Sequence, residues 1–253
     1  MDPRLEIVIP SRHRTQLIRR AVAYYRDPMV CVDEQEVEDY RVVIPRTRLL
    51  PHPSEVNTLQ RIRQWILDHV DADIIFQMDD DIKRVECMVG HQTRKLTDPA
   101  DIEAIIWNAA LNCQQAGTIF FFFAQVSNPI TFQSWKPFKF VTPPVGCAMG
   151  FWREAFNRHI RFDPTIQHAG IDATMRILHR YRIVWCDMRF CFVPGPHMVS
   201  PGGLAGVRTA DGIEIDDERL RRRYGQAIGI DHQTRRKGAR GVMSQHISIN
   251  VVR

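Results

Sequence analysis

The stretch Ala72-Asp-Ile-Ile-Phe-Gln-Met-Asp-Asp-Asp81 carries a β-rich apolar run straight into three consecutive carboxylates. A short apolar run bounded by polar residues reads as a buried strand, which puts the aspartates at its C-terminal end. Carboxylates crowded there repel one another and lose hydration. A divalent cation is the natural partner, because hard cations take carboxylate oxygens and leave positions for phosphate oxygens and water. In open parallel sheets such ligands sit outside the C-terminal strand ends. The competing reading is a solvated acidic turn, neutralised by Lys83 and Arg84.

Toward the N-terminus, Leu5-Glu-Ile-Val-Ile-Pro10 reads as a strand, followed by the loop Ser11-Arg-His-Arg14 and a helix from Thr15 to about Tyr25. Met29–Asp33 and Arg41-Val-Val-Ile-Pro45 read as second and third strands, with Glu34, Glu36, Glu38 and Asp39 clustered between them. From Glu55 to Val70, the apolar residues Val56, Leu59, Ile62, Trp65, Ile66 and Val70 recur at helical spacing, while Arg61 and Arg63 fall on other faces. Strands alternating with helix-length connections indicate an α/β fold with a parallel, doubly wound sheet.

Toward the C-terminus, Asp98-Pro99 supplies a cap and a first-turn proline for a helix ending near Ala116, before Gly117. A Phe-rich strand starts at Ile119, and the Pro- and aromatic-rich stretch 128–144 reads as an ordered flap. Its Phe132, Trp135, Phe138 and Phe140 either stack on a base or belong to the core. Residues 145–152 form a small-residue strand, in which Gly146 to Gly150 would admit a sugar close to the backbone or reflect tight strand packing. Helices over 153–159 and 171–181 and strands over 182–186 and 190–193 follow. After Pro194 the chain turns Gly- and Arg-rich, with basic clusters at Arg219, Arg221 to Arg223 and Arg235 to Lys237. The expected division is a core over 1–195 and a segment over 196–253 that completes the site or contacts the acceptor.

At 253 residues with 44% hydrophobic and 25% charged content, the chain suits one globular domain and neither disorder nor a fibrous repeat. The longest apolar run, 118–126, is too short to span a bilayer, and Met1 to Leu5 leave no room for a secretory signal. An intracellular, cytoplasmic protein with no membrane and no obligate protein partner is expected. Six cysteines without a CxxC pair read as reduced, buried thiols. The net charge is +5, and 29 of the 34 basic residues are arginine. That excess suits phosphate partners, although biased genome composition produces the same pattern.

Ile74-Ile-Phe-Gln-Met-Asp-Asp-Asp81 resembles the strand-plus-DxD motif of GT-A glycosyltransferases, and Ile7-Val-Ile-Pro-Ser11 is similar to the first nucleotide-binding strand of that fold. Over the first two thirds of the chain, the order of segments resembles more narrowly the TET-associated glycosyltransferases, a mainly phage family linked to sugar addition on modified DNA bases. The resemblance implies a single GT-A-like, Rossmann-like domain: a mostly parallel sheet flanked by helices, with a basic C-terminal extension. It further implies a UDP-linked nucleotide-sugar donor, Mn²⁺ or Mg²⁺, and DNA carrying a hydroxymethylated pyrimidine such as 5-hydroxymethylcytosine as acceptor. By that resemblance Asp81 is the main metal ligand, Asp79 faces the ribose or the metal and its water, and Asp80 serves either purpose. Pro10, Ser11 and Arg12 would line the nucleotide pocket, with Arg61 or Arg63 reaching the base or diphosphate.

In the second half, the resemblance makes Asp172, in His168-Ala-Gly-Ile-Asp172, the candidate general base. A helix N-cap is the structural alternative for it. His197 would complete the metal shell, with His246 second. Arg208 would hold a phosphate beside the loop Gly202 to Gly206, which lacks the Gly-Lys-Ser/Thr ending of a P-loop. Two other functions stay open at this point: a GT-A enzyme acting on a glycan, protein or small molecule, and a non-catalytic nucleic-acid-binding protein.

Overall fold

The structure is a computed structural model that describes residues 2–130, 132–142, 146–195, 210–233 and 244–249. Strands β1 (Leu5–Pro10), β2 (Met29–Asp33) and β3 (Arg48–His52) are joined through helices α1 (Thr15–Val22) and α2 (Val37–Val43), and α3 (Leu59–His69) leads into β4 (Ile74–Met78). These four strands lie side by side and parallel in the order β3-β2-β1-β4. Each connecting helix returns the chain to the same edge, so the C-terminal strand ends line up.

Arg41–Pro45 is not the third strand. Asp33 caps a short 3-10 turn by accepting the Gln35 N–H, and Glu38 and Asp39 occupy the first turn of α2. Negative charge there favours a helix N-terminus, and the helix buries Tyr40 completely while leaving Val42 exposed. That tertiary gain overrides the β preference of Val42 and Val43. The third strand comes later, at Arg48–His52.

Directly after the aspartates, β5 (Ile82–Val89) turns at Gly90, with φ of 60°, into β6 (Gln92–Leu96). This hairpin has no counterpart in the sequence reading. α4 (Pro99–Gln115) starts as expected, with Asp98 accepting the Ala100 N–H at 2.9 Å, and the chain leaves it through Gly117 at φ 77°. Then follow β7 (Phe120–Ala124), β8 (Phe138–Lys139), β9 (Ala148–Trp152), α5 (Arg153–His159), α6 (Ala169–Tyr181) and β10 (Trp185–Pro194). β10 is one long strand with an irregularity between Asp187 and Cys191, where the sequence suggests two. Last come α7 (Ala210–Tyr224), β11 (Ile228–Gln233) and β12 (Ser244–Ile249), the latter two forming a separate hairpin.

The main sheet runs β3-β2-β1-β4-β9-β7-β10-β5-β6, with β8 beside β10. β9 is antiparallel to both β4 and β7, so the sheet is parallel where β1 to β4 meet and mixed beyond. Alternate residues feed two cores. Ile7, Ile9, Ile74 and Phe76 pack toward α1, α2 and α4, while Val8, Ile75, Phe120 and Phe122 pack toward α3, α5 and α6. Gly150 is required by this packing, because a Cβ there would lie 1.9 Å from the Phe121 ring. All six cysteines are free thiols and five are buried. Among the described residues no helix is long and apolar enough to cross a membrane.

Candidate active site

The three aspartates end β4 but differ in surroundings. Asp80 is buried: Ser11 Oγ donates to one carboxylate oxygen at 2.6 Å and Arg14 Nη1 to the other at 2.9 Å. The Tyr40 hydroxyl lies 2.7 Å from Ser11 Oγ, so β1, α2 and β4 meet at this one carboxyl. Burial pushes Asp80 up to about 6, against the downward pull of Ser11 and Arg14. Burial likewise pushes Tyr40 up to about 12.

Asp79 and Asp81 keep more of their side chains accessible, 32% and 17%. Arg63, buried on α3, donates to Asp79 at 3.0 Å and to the Gly146 carbonyl at 2.5 Å. Arg14 lies 3.8 Å from Asp81. The Asp79 N–H donates to the Cys147 carbonyl and the Asp81 carbonyl accepts from Gly195 N–H, both at 2.8 Å, which ties the triplet to β9 and to the end of β10. Arg14 and Arg63 thus face the triplet. The partly accessible side chains of Asp79 and Asp81 suit a hard divalent cation, which is commonly held by one or two carboxylates plus substrate phosphates. Among the described residues no cluster of three His, Cys, Asp or Glu side chains forms a complete metal shell.

Around the β1 end, Pro10 and Ser11 are buried and Arg12 donates through Nη1 to the Asn57 carbonyl at 2.9 Å. Arg61 is exposed on α3 and donates to the Glu55 carbonyl at 3.3 Å. The sequence reading missed Arg14 and Tyr40, which hold the central carboxyl. Arg14 follows β1 in the same loop as Ser11 and Arg12, so its position carried the signal.

The side-chain contacts of Asp172 are with α6 and α7. This residue is wholly buried, and Arg176 Nη2 and Arg223 Nη1 each donate to one of its oxygens at 2.7 Å, with the Tyr224 hydroxyl at 2.5 Å. Burial pushes the Tyr224 hydroxyl up, with the Asp172 charge acting in the same direction. With both oxygens engaged and covered, this carboxylate pins α7 to α6, and none of these contacts reaches the triplet. Nor is it the helix cap: His168 occupies that position, without a side-chain cap bond. The backbone N–H groups of Gln167 and His168 instead donate to Asp216 of α7 at 2.8 Å each. Asp216 was not among the residues singled out by sequence.

His197 and Arg208, with Arg235 to Lys237, lie outside the described residues, and for His246 only the backbone strand is described. In the flap, Phe138 packs on Trp185 at 4.6 Å, whereas Trp135 is 81% exposed and Ile130 90%. The flap thus splits into a core anchor and an apolar tip facing solvent.

Residues 5–116 match the model of the family described as TET-Associated Glycosyltransferase. The fold is that of GT-A glycosyltransferases. No curated protein matches the chain in sequence. Among solved structures, the chain is similar to a mannosyltransferase from Pyrobaculum calidifontis in complex with GDP-Man and Mn²⁺, at 15% identity and a TM-score of 0.54, covering 81% of this chain and 60% of that one. It is similar also to glucosyl-3-phosphoglycerate synthase from Mycobacterium tuberculosis in complex with Mn²⁺, UDP and glucosyl-3-phosphoglycerate, at 10% identity and TM-score 0.54, covering 99% and 88%. A third is mannosyl-3-phosphoglycerate synthase from Rubrobacter xylanophilus, at 10% identity and TM-score 0.52, covering 98% and 85%. At such identities the likeness establishes the fold. The chain spans about 60% of the length of the Pyrobaculum enzyme.

Proposed function

We propose that this chain transfers a sugar from a UDP-linked donor to the hydroxyl of a hydroxymethylated pyrimidine in DNA, with Mn²⁺ or Mg²⁺ at the aspartate triplet. The observation that carries the reading is the division of labour within the triplet. Asp80 is buried and bonded to Ser11 and Arg14, while Asp79 and Asp81 keep partly accessible side chains at the C-terminal end of β4. Those two would hold the cation, which when bound neutralises charge on the diphosphate leaving group.

In the transfer, the bond from the anomeric carbon to the diphosphate oxygen breaks and one to the acceptor oxygen forms. The nucleoside diphosphate departs with the electron pair, and the acceptor proton passes to a base or to solvent. Arg63 and Arg14 orient the carboxylates, Pro10, Ser11 and Arg12 line the nucleotide pocket, and Arg61 is placed on the exposed side of α3 for a phosphate. His197 and Arg208 are assigned to the metal shell and to a phosphate. Asp172 serves through α7, by holding it against α6, rather than by taking the proton.

The DNA part is supported by the match of residues 5–116 to the TET-associated glycosyltransferase model and by the arginine excess. Exposed arginines on α7 and the solvent-facing Trp135 add the combination that nucleic-acid surfaces use, charge for phosphates and rings for bases. A base in a duplex must leave the stack to reach an anomeric carbon, and the flap tip is suited to stacking on it or on its neighbours.

The test is incubation with a panel of nucleotide sugars, Mn²⁺ and hydroxymethylcytosine DNA, read by nucleoside mass spectrometry. A glycosyl mass increment on the modified base, dependent on Mn²⁺, is expected from one donor. Equal transfer to the free nucleoside, with no salt-dependent preference for DNA, would overturn the acceptor and leave the transferase. Absence of turnover with every donor would overturn both.

A further inference from the structure

We infer that His52 reads the base of the nucleotide donor, by accepting a hydrogen bond from a ring N–H of the kind carried by uracil and guanine. The inference rests on the nucleotide-sugar reading above and adds to it a residue that determines which nucleotide is taken.

His52 is the last residue of β3 and lies in parallel register with Asp33, the last residue of β2. The next strand, β1, ends at Pro10 in register with Cys31, and Ser11 follows it. His52 therefore belongs to the row of strand ends that contains Ser11 and Arg12, where open α/β sheets bind ligands. The loop after β3 folds back over that row. Ser54 Oγ donates to Asp33 Oδ1 at 2.7 Å, and Arg12 Nη1 reaches the Asn57 carbonyl at 2.9 Å.

His52 is 1% exposed, and its Nδ1 lies 3.0 Å from the Pro53 carbonyl oxygen. A carbonyl only accepts, so Nδ1 carries the proton and, in the neutral ring, Nε2 is left as an acceptor. No described residue donates to it. Buried polar atoms nearly always find partners, yet Arg12 Nε, Thr58 Oγ1 and Arg63 Nε, on the adjoining loop and helix, also lack them. Unsatisfied donors and acceptors on the end of β3, the loop after β1 and α3 match a ligand that offers both. The edge of uracil, a ring N–H between two carbonyl oxygens, does so, as does that of guanine, a ring N–H beside one carbonyl oxygen and an amino group. Cytosine and adenine, whose ring nitrogens only accept, do not place a ring donor opposite His52.

The experiment is calorimetric titration of UDP, GDP, CDP and ADP, each with Mn²⁺, into the wild-type chain, His52→Ala and His52→Gln, with thermal melts to verify folding. Wild type is expected to prefer UDP or GDP. His52→Ala should lose about tenfold to a hundredfold for the preferred nucleotide, the scale of one buried hydrogen bond, with little change for the others. His52→Gln, which keeps an acceptor, should recover part of the loss. An unchanged preference in folded His52→Ala, or a folded His52→Gln that binds as weakly as the alanine variant, would overturn the inference. A wild-type preference for CDP or ADP would overturn it while leaving the nucleotide-sugar reading in place. Binding of no nucleoside diphosphate by wild type would remove that reading and this inference together.

Discussion

Two carboxylate clusters in this molecule use the same residue types for opposite ends. At the C-terminal end of β4, Asp79 and Asp81 face arginines yet keep partly accessible side chains. Between α6 and α7, Asp172 is closed off completely, with both oxygens committed to Arg176, Arg223 and Tyr224. A carboxylate whose acceptor sites are all filled by its own chain contributes cohesion. One left partly open at a strand end can exchange its partner for a ligand. The contrast is repeated inside the triplet, where Asp80 resembles Asp172 more than it resembles its neighbours.

The contrast can be broken most directly at its extremes. Asp81→Ala should lower transfer by roughly 10³-fold, the scale of electrostatic stabilisation lost at a charged leaving group. Its melting temperature should hold or rise, since one of three crowded charges is gone. Wild-type turnover in a folded variant would remove the metal assignment. Asp172→Asn should do the reverse. Denaturant titration should show a loss of about 2–3 kcal/mol, less than the ~3–5 kcal/mol of a fully buried broken pair because both arginines reach water. Turnover per folded molecule should change little, and a large fall in turnover at unchanged stability would return Asp172 to the chemistry.

A smaller effect concerns the exposed side of α7. Arg222 pairs with Glu218, one turn away on the same helix, whereas Arg223 is bound to Asp163 and Asp172. Replacing Arg221 and Arg222 by alanine should therefore reduce the salt slope of DNA binding by about 1 for each phosphate that is no longer neutralised, read by fluorescence anisotropy at several salt concentrations. An unchanged slope would place the phosphate track elsewhere.

The smallest expected effect is on acid stability, through Asp163. Although burial pushes this carboxyl up, hydrogen bonds from Thr165 and Arg223 outweigh it and hold the group at about 2, below the ordinary 3.8. A depressed folded-state value stabilises above the unfolded value and is lost as pH falls through the folded one. Asp163→Asn should thus cost about 1 kcal/mol or less at neutral pH. The difference from wild type should vanish between about pH 4 and pH 2, and a pH-independent difference would contradict the assignment.

Much of this was legible in the sequence because it rests on local chemistry. The buried strand and its aspartates, the capped helix after Asp98 and the glycine stop at Gly117 follow from adjacent residues. What was not legible depends on distant partners. Arg41–Pro45 has the composition of a strand, but Arg41–Val43 end α2 because Tyr40 is wanted beneath Ser11, 29 residues earlier. Asp172 has the position of a base, and the return of α7, 51 residues later, fills the oxygen that Arg176 leaves open. The hairpin of β5 and β6 escaped notice because its outer strand, Gln92–Leu96, is almost wholly exposed and shows no apolar alternation.

The central claim is that the partly accessible carboxylates at the end of β4 join a divalent cation to the donor's diphosphate. It is tested most directly by measuring UDP affinity against Mn²⁺ concentration for wild type and Asp81→Ala, with thermal melts of both. Affinity should rise with Mn²⁺ in wild type and stay flat in a variant of unchanged melting temperature. Equal Mn²⁺ enhancement in the two proteins, or none in wild type, would contradict the account.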